Sequence, residues 1–491
     1  MTNALGQPRK AAGVVRLQSN IDPSFYRMVG AKDKMALVES FMMKRPSTDQ
    51  RFAAGKALRQ RVPRASHAEY VPRANRPDPI AILEAQNVTR VQKLVPVRYY
   101  RMLTSPFAFL RGSAAVMASD LSSLPVSGIR VAACGDMHVS NFGVYASAER
   151  SLVFSINDFD EVYVGPWEWD LKRLAASAAV AANFLGGDRA QCEAVARECV
   201  RSYRKRISRY AGMGYLEVWY DRISDRAVLD SLTPKARRIA QRIMDRARAR
   251  GHIRTLEKLT ERINGRHRFI EDVPLIVRET RTEKGTPVKV ALDRLLRVYV
   301  DSLSFDRKVM LSRYRIVDVA RKVVGVGSVG TECWMIMLHG SSEDDPLFLQ
   351  VKEAKQSVLA PYVDIKLPFE HQGHRVVFGQ RLTQGSPDIF LGWCEVEGRD
   401  FYIRQLADMK GSAALDDIET LPEYCGLCGW ALALAHAKSG DAAMIAGYCG
   451  KSDALDEAIG AFAVAYLQQT EQDHAALVKA KRSGRIKAAA A

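Results

Sequence analysis

Two short runs carry most of the residues that could do chemistry. The first, Gly135–Gly143 (GDMHVSNFG), holds Asp136, His138 and Asn141; the second, Asn157–Glu161 (NDFDE), holds Asp158 and Asp160. Phosphoryl transfer needs a carboxylate beside the attacking hydroxyl and oxygen ligands that keep Mg²⁺ across the phosphates. Mg²⁺ takes hard oxygen donors, typically one or two carboxylates completed by substrate phosphates and water. An Asp, an Asn five residues on, and an Asp beyond one β-like segment, Leu152–Ile156, supply that set. The same carboxylates could instead cap turns and hold loops, but five polar groups in two successive loops favour a site.

A second constellation lies later. Gly325, Gly327 and Gly330 spell G-x-G-x-x-G, with Ser328 between the last two. A dinucleotide-binding fold requires a helix straight after such glycines. Here Thr331–Leu338 (TECWMIML) reads as a strand, and strand, glycine loop, strand, turn, strand is the arrangement in which a kinase loop covers ATP phosphates. That arrangement requires a lysine on the third strand, and Lys352 stands there as the candidate for the α- and β-phosphates. A helix over Pro368–Leu382 offers Glu370 or Gln380 as the partner of that lysine. Gln405–Ala407 would face adenine.

The elements that must position these groups fall into four stretches. Residues 1–90 are basic and proline-containing, an arm wrapped on the surface with one short helix near Lys34–Met43. Residues 91–310 read as a helical lobe that carries the strand Gly128–Cys134, both polar loops, a helical stretch from Asp170 to about Tyr210, and a helix opening at Thr233–Pro234. Residues 311–410 are β-rich, with strands over Val317–Val324, Cys333–Leu338, Leu347–Val351 and Phe401–Ile403. Residues 411–491 return to helix and are expected to pack on the helical lobe. The fold class is therefore α+β.

The spacing C-G-D-M-H-V-S-N, then a strand, then I-N-D-F resembles the catalytic and metal loops of aminoglycoside and choline kinases. The resemblance implies Asp136 as catalytic base, His138 as a brace of the loop, Asn141 and Asp158 as metal ligands with Asp160 beside them, and Asp170 as a structural brace. Cys134 stands where those kinases have a histidine, and one fewer residue separates Gly165 from Pro166. Because the catalytic loop precedes the glycine loop, the implied protein-kinase-like two-lobe fold would be circularly permuted, which chain termini lying close together would permit.

Gly55–Arg59, Arg76–Pro79, Ser105–Gly112, Cys134–Gly143, Asn157–Glu161, Gly165–Arg173 (GPWEWDLKR), Val351–Ala354 and Ala435–Asp441 recur in order in the bacterial family called domain of unknown function 2252, which this chain resembles from about residue 50 onward. Ser155 replaces an Asp common in that pattern.

The balance of 72 Lys and Arg against 55 Asp and Glu, net +17, favours polyanionic partners without choosing among nucleotide, nucleic acid and anionic surface. Arg237, Arg238, Arg242, Arg246, Arg248 and Arg250 read as a solvated helix face. Eight scattered cysteines suit reduced thiols and a cytoplasmic setting, and the C-x-x-C of Cys425 and Cys428 lacks a second pair for zinc. No apolar run reaches the ~20 residues of a membrane-spanning helix, so no membrane partner is expected. The expected activity is ATP- and Mg²⁺-dependent phosphotransfer to a small-molecule or protein acceptor. Nucleotidyl transfer, metal-dependent phosphoester hydrolysis, and a non-catalytic nucleotide-sensing or nucleic-acid-binding role are the alternatives.

Overall fold

The computed structural model describes residue 38 and residues 41–365, 367, 369–406, 409–413 and 415–490. Most of the helix expected at Lys34–Met43 lies outside them, as does Ala407. The fold is mixed α+β with four sheets among the described residues.

The β-rich stretch builds the largest sheet, antiparallel and ordered β12 (Gly392–Val396), β13 (Arg399–Gln405), β11 (Pro346–Glu353), β10 (Cys333–His339), β9 (Arg315–Lys322) and β8 (Ile276–Val277). The earlier strands are β1 (Arg130–Ala133), β2 (Phe142–Ala146), β3 (Leu152–Ile156), β4 (Tyr163–Pro166), β5 (Ile223–Ser224), β6 (Thr260–Ile263) and β7 (Arg266–Phe269). Strands β2, β4, β5, β6, β7, β8 and β12 were not expected; each is five residues or fewer, too short for a clear alternation.

Register decides which side chains of the sheet reach the site. In β11, Leu349 and Val351 join Ile336, Leu338, Phe401 and Ile403 against Leu295 and Tyr299 of the helix Val288–Asp301. Successive side chains alternate between faces, so Gln350 and Lys352 point the other way. Lys352 pairs with Cys333 on β10 and with Tyr402 on β13, while Gln350 pairs with Arg404. A polar row thus stands on the face opposite the apolar core of the sheet.

The helical body centres on Trp167–Phe184, whose residues 167–182 are all buried. Its run of alanines presents little bulk on any side, so neighbouring helices close in around it. The expected single helical stretch breaks at Gly186 and Gly187, and the second helix, Arg189–Ala211, begins with Asp188 capping Gln191 at 2.8 Å. Leu421–Ser439 packs on Arg189–Ala211 so closely that a Cβ on Gly429 would lie 2.2 Å from the Cys199 carbonyl oxygen. All eight cysteines, Cys425 and Cys428 included, are free and buried.

Residues 48–87 are stitched to the C-terminal helices. Arg51 pairs with Asp441 at 2.9 Å, Arg76 bridges Asp120 and Asp473 at 2.7 and 2.6 Å, and His67 meets the Tyr448 hydroxyl at 2.7 Å. Several arginines of the basic arm are therefore spent on packing. Those of Pro234–Arg248 and Arg250 are exposed, as expected of a solvated face.

Glycine-to-alanine substitution inside a helix ordinarily gains about 1 kcal/mol. At position 429 the added carbon meets backbone, and overpacking of this kind costs about 1–3 kcal/mol. Gly429→Ala is expected to lower the urea midpoint, reversing the propensity effect. Burial pushes the His67 imidazole down to about 3. The unfolded chain takes up that proton near pH ~6.5 while the folded chain rejects it, so stability falls as pH drops below that value. His67→Gln should flatten the stability slope between about pH 6 and 4 by up to ~1.4 kcal/mol per unit, read from urea titrations at stepped pH.

Candidate functional site

The first polar loop leaves β1 and is held from below by the helix Trp167–Phe184. Asp170 in the first turn of that helix accepts the amides of Cys134 at 2.6 Å and Gly135 at 2.9 Å, and lies 3.3 Å from His436 Nε2. Ser177, two turns on, accepts the Val139 amide at 3.0 Å. Arg173, three residues after Asp170 and so on the same helix face, donates from Nε to Asp136 Oδ1 at 3.0 Å and also contacts it through Nη2. Asn141 closes the loop by donating to the Asp136 carbonyl at 2.7 Å, which leaves its own side-chain oxygen available. His138 is buried with Nε2 3.9 Å from Asp136 Oδ2. Burial pushes its imidazole down to about 3, so it is neutral at physiological pH.

The second loop is joined to the first by a bond from the Asn157 amide to the Asn141 carbonyl, 2.8 Å. Asp158 Oδ1 accepts the Asp160 amide at 3.2 Å. Asp160 receives three donors from the large sheet and its glycine loop: the Lys352 ammonium in direct contact, the Tyr402 hydroxyl at 2.7 Å and Ser328 Oγ at 3.3 Å. Burial alone would lower the Lys352 pKa; the charges of Asp158 and Asp160 outweigh it and hold the amine above its ordinary value.

The glycine loop is fixed from the helical side. Gly325 and Gly330 have φ of +65° and +88°, a region few other residues adopt. Gly327 approaches so closely that a Cβ would sit 3.1 Å from the Arg111 carbonyl oxygen and 3.9 Å from Asp136 Oδ2. The Val91 amide bonds the Gly330 carbonyl at 2.8 Å, Arg90 Nη1 bonds the Val329 carbonyl at 2.6 Å, and Arg101 contacts the Gly325 carbonyl.

Two cavities flank this junction and share Asp158, Gly325 and Ser328. The first, about 500 Å³, is lined by Lys352, Gln350, Arg404, Gln405 and Lys410 among others. The second, about 580 Å³, is lined by Asp136, His138, Asn141, Asp160, Arg111 and their neighbours. Both fall in the range of small-molecule sites.

A model of the family described as "Uncharacterized protein conserved in bacteria (DUF2252)" matches residues 90–480. The chain belongs to the DUF2252 family. No curated protein and no solved structure matches it. In this DUF2252 chain ten of the residues singled out from sequence border the same junction: Asp136, His138, Asn141, Asp158 and Asp160 from the loops, Gly325, Gly327 and Ser328 from the glycine run, Lys352 and Gln405 from the sheet. Gly330 anchors the far end of the glycine run instead, with its Cβ position 3.1 Å from Arg90.

One expectation changes. Lys352 pairs with Asp160, not with a helix glutamate: Glu370 precedes the helix Gln372–Thr383 and is exposed, while Gln380 lines the first cavity with its Oε1 unpartnered among the described residues. Asp160, expected among the metal ligands, has its carboxylate oxygens engaged by Lys352, Ser328 and Tyr402, and Asp158 and Asn141 carry further oxygens that could hold Mg²⁺. No group of three or more His, Cys, Asp or Glu among the described residues could hold a metal; a two-donor site completed by phosphate and water suits Mg²⁺.

Arg173, Tyr402 and Arg375 escaped the sequence reading. Arg173 could have been found from its three-residue spacing to Asp170. Arg375 could not, because its bonds to the carbonyls of Asp160 (2.9 Å) and Lys355 (2.7 Å) exist only after the helix docks.

Asp170→Ala would orphan two buried amides, each worth roughly 1–3 kcal/mol. It is expected to destabilise the protein by about 3 kcal/mol in urea and to speed hydrogen exchange selectively at residues 134–141. A cost confined to global stability, with unchanged exchange in that loop, would show that Asp170 does not set the loop's geometry.

Proposed function

We propose that this DUF2252 protein is an ATP- and Mg²⁺-dependent phosphotransferase with a circularly permuted, protein-kinase-like two-lobe arrangement. The observation that carries the proposal is the meeting of Lys352, Ser328 and Asp160 at one point beside Asp158, although Asp160 and Lys352 are separated by 192 residues of sequence. A strand lysine and a glycine loop brought to an Asp–Asn carboxylate loop are the parts that hold and cover nucleotide phosphates in kinases. The sheet order supports the same reading, since the glycine loop joins β9 to β10 and Lys352 lies on the next strand, β11.

In this reading ATP occupies the first cavity, with adenine toward Gln405 and phosphates between Lys352 and the glycine loop. Asp158 and Asn141 would hold Mg²⁺, whose role is to neutralise charge on the transferring phosphates. The acceptor occupies the second cavity. Its hydroxyl oxygen bonds the γ-phosphorus as the bond to the β–γ bridging oxygen breaks, ADP leaves, and the hydroxyl proton passes to Asp136. Arg173 fixes the orientation of that carboxylate.

Calorimetric titration with ATP tests the proposal. Wild type should bind in a Mg²⁺-dependent manner. Asp158→Ala and Lys352→Ala should each weaken binding about tenfold or more, equivalent to about 1.4 kcal/mol, while Asp136→Ala should change it less than about threefold. Failure to bind at millimolar ATP would sink the nucleotide reading. The exposed arginine face of Pro234–Arg248 would then make nucleic acid the next ligand to titrate, through its salt dependence.

A further inference from the structure

The second cavity gathers three arginines that form no direct ion pair among the described residues. Arg90, Arg98 and Arg111 all line it. Arg98 is 1% exposed and, among the described residues, donates to neutral groups: Asn87 Oδ1, Gln86 Oε1 and the Gly112 carbonyl. Arg90 donates to the Val329 carbonyl, another neutral acceptor. Arg111 makes no hydrogen bond through Nε, and its guanidinium lies 5.9 Å from the Phe107 ring centroid. The Nε atoms of all three arginines are buried without a hydrogen-bond partner, and none of the three forms an ion pair among the described residues.

Guanidinium groups gathered in this way are costly. A buried charge without a counter-ion loses its hydration and recovers little. Burial accordingly pushes all three guanidinium pKa values down. Six carboxylates line the same cavity, Asp136, Asp158, Asp160, Glu161, Glu353 and Asp400, and act on the arginines through space rather than by direct pairing. Asp136 pairs with Arg173, and Asp160 with Lys352. Glu161 accepts the Val358 amide at 2.8 Å, and burial raises its pKa to about 7. Glu353 accepts the Glu332 amide at 3.0 Å.

Position points to the ligand's role. The arginines line the second cavity and Lys352 the first, and the two cavities share Asp158 and Ser328. Arg111 lines the same cavity as Asp136, whose charge acts on its guanidinium. An anion on Arg111 would therefore lie near the carboxylate proposed to take the acceptor's proton. Guanidinium forks bind phosphate and carboxylate bidentately.

We infer that the second cavity binds a small-molecule acceptor carrying a phosphate or carboxylate group, which Arg111, backed by Arg90 and Arg98, recognises next to Asp136. The word acceptor rests on the phosphotransfer reading; the anion site does not.

The test is calorimetric titration of the full chain with inorganic phosphate, first without nucleotide and then with saturating ATP and Mg²⁺. Wild type should bind phosphate in both conditions. Arg111→Ala should weaken phosphate binding about tenfold or more and leave ATP binding within about threefold. Arg111→Lys keeps the charge without the fork, so it should give an intermediate loss with an unchanged unfolding midpoint. Lys352→Ala should leave phosphate binding intact. Phosphate binding abolished by ATP, or by Lys352→Ala, would assign the arginines to the nucleotide's own phosphates and overturn the inference. So would phosphate binding absent from wild type or indifferent to both Arg111 variants. If wild type binds phosphate through Arg111 but never binds ATP, the anion site stands and the phosphotransfer reading alone fails.

Discussion

A buried ammonium must meet a negative charge, and in this protein the charge comes from the other half of the chain. Lys352 sits on the polar face of a central strand, 3% exposed, and its counter-ion is Asp160 on a loop that leaves the helical body. Neither could be buried alone without a penalty of several kcal/mol. The pair therefore ties the register of the large sheet to the position of the carboxylate loop. Tyr402 and Ser328 add neutral donors to the same carboxylate, so adjoining strands and the glycine loop are set by the same point.

The other contacts around this junction make it rigid on both sides. Arg375 grips the carbonyls of Asp160 and Lys355 from the helix that follows β11, so strand exit and carboxylate loop move as one. From the opposite direction Asp170 and Ser177 hold the backbone of the Asp136 loop. The glycine loop is bonded to residues 90–101, outside both the sheet and the carboxylate loops. That third anchor holds Gly325, which lines both cavities.

Much of the chemistry was legible in the sequence because polar groups at fixed short spacing report on themselves. Asp136, Asn141 and Asp158 needed only a loop, a strand and another loop, and Leu152–Ile156 forms that strand with the bounds expected. Lys352 was legible because the order strand, glycine loop, strand, turn, strand calls for a lysine on the third strand. Its partner was not legible. Glu370 and Gln380 were the local choices, whereas Asp160 lies 192 residues away and is chosen by charge neutralisation across two elements.

By itself the sequence determined the α+β class, the β-rich segment between about 310 and 405, the glycine loop as a strand-to-strand connection, and the polar groups of the two loops. These follow from local periodicity and turn chemistry, which act over a few residues. Only the tertiary structure decided that the glycine loop approaches Arg111 and Asp136, that arginines of the basic arm pack on the C-terminal helices, and that three arginines line one cavity without a direct ion pair among the described residues. Those outcomes depend on which buried charges find partners, a constraint met between distant segments and invisible to spacing along the chain.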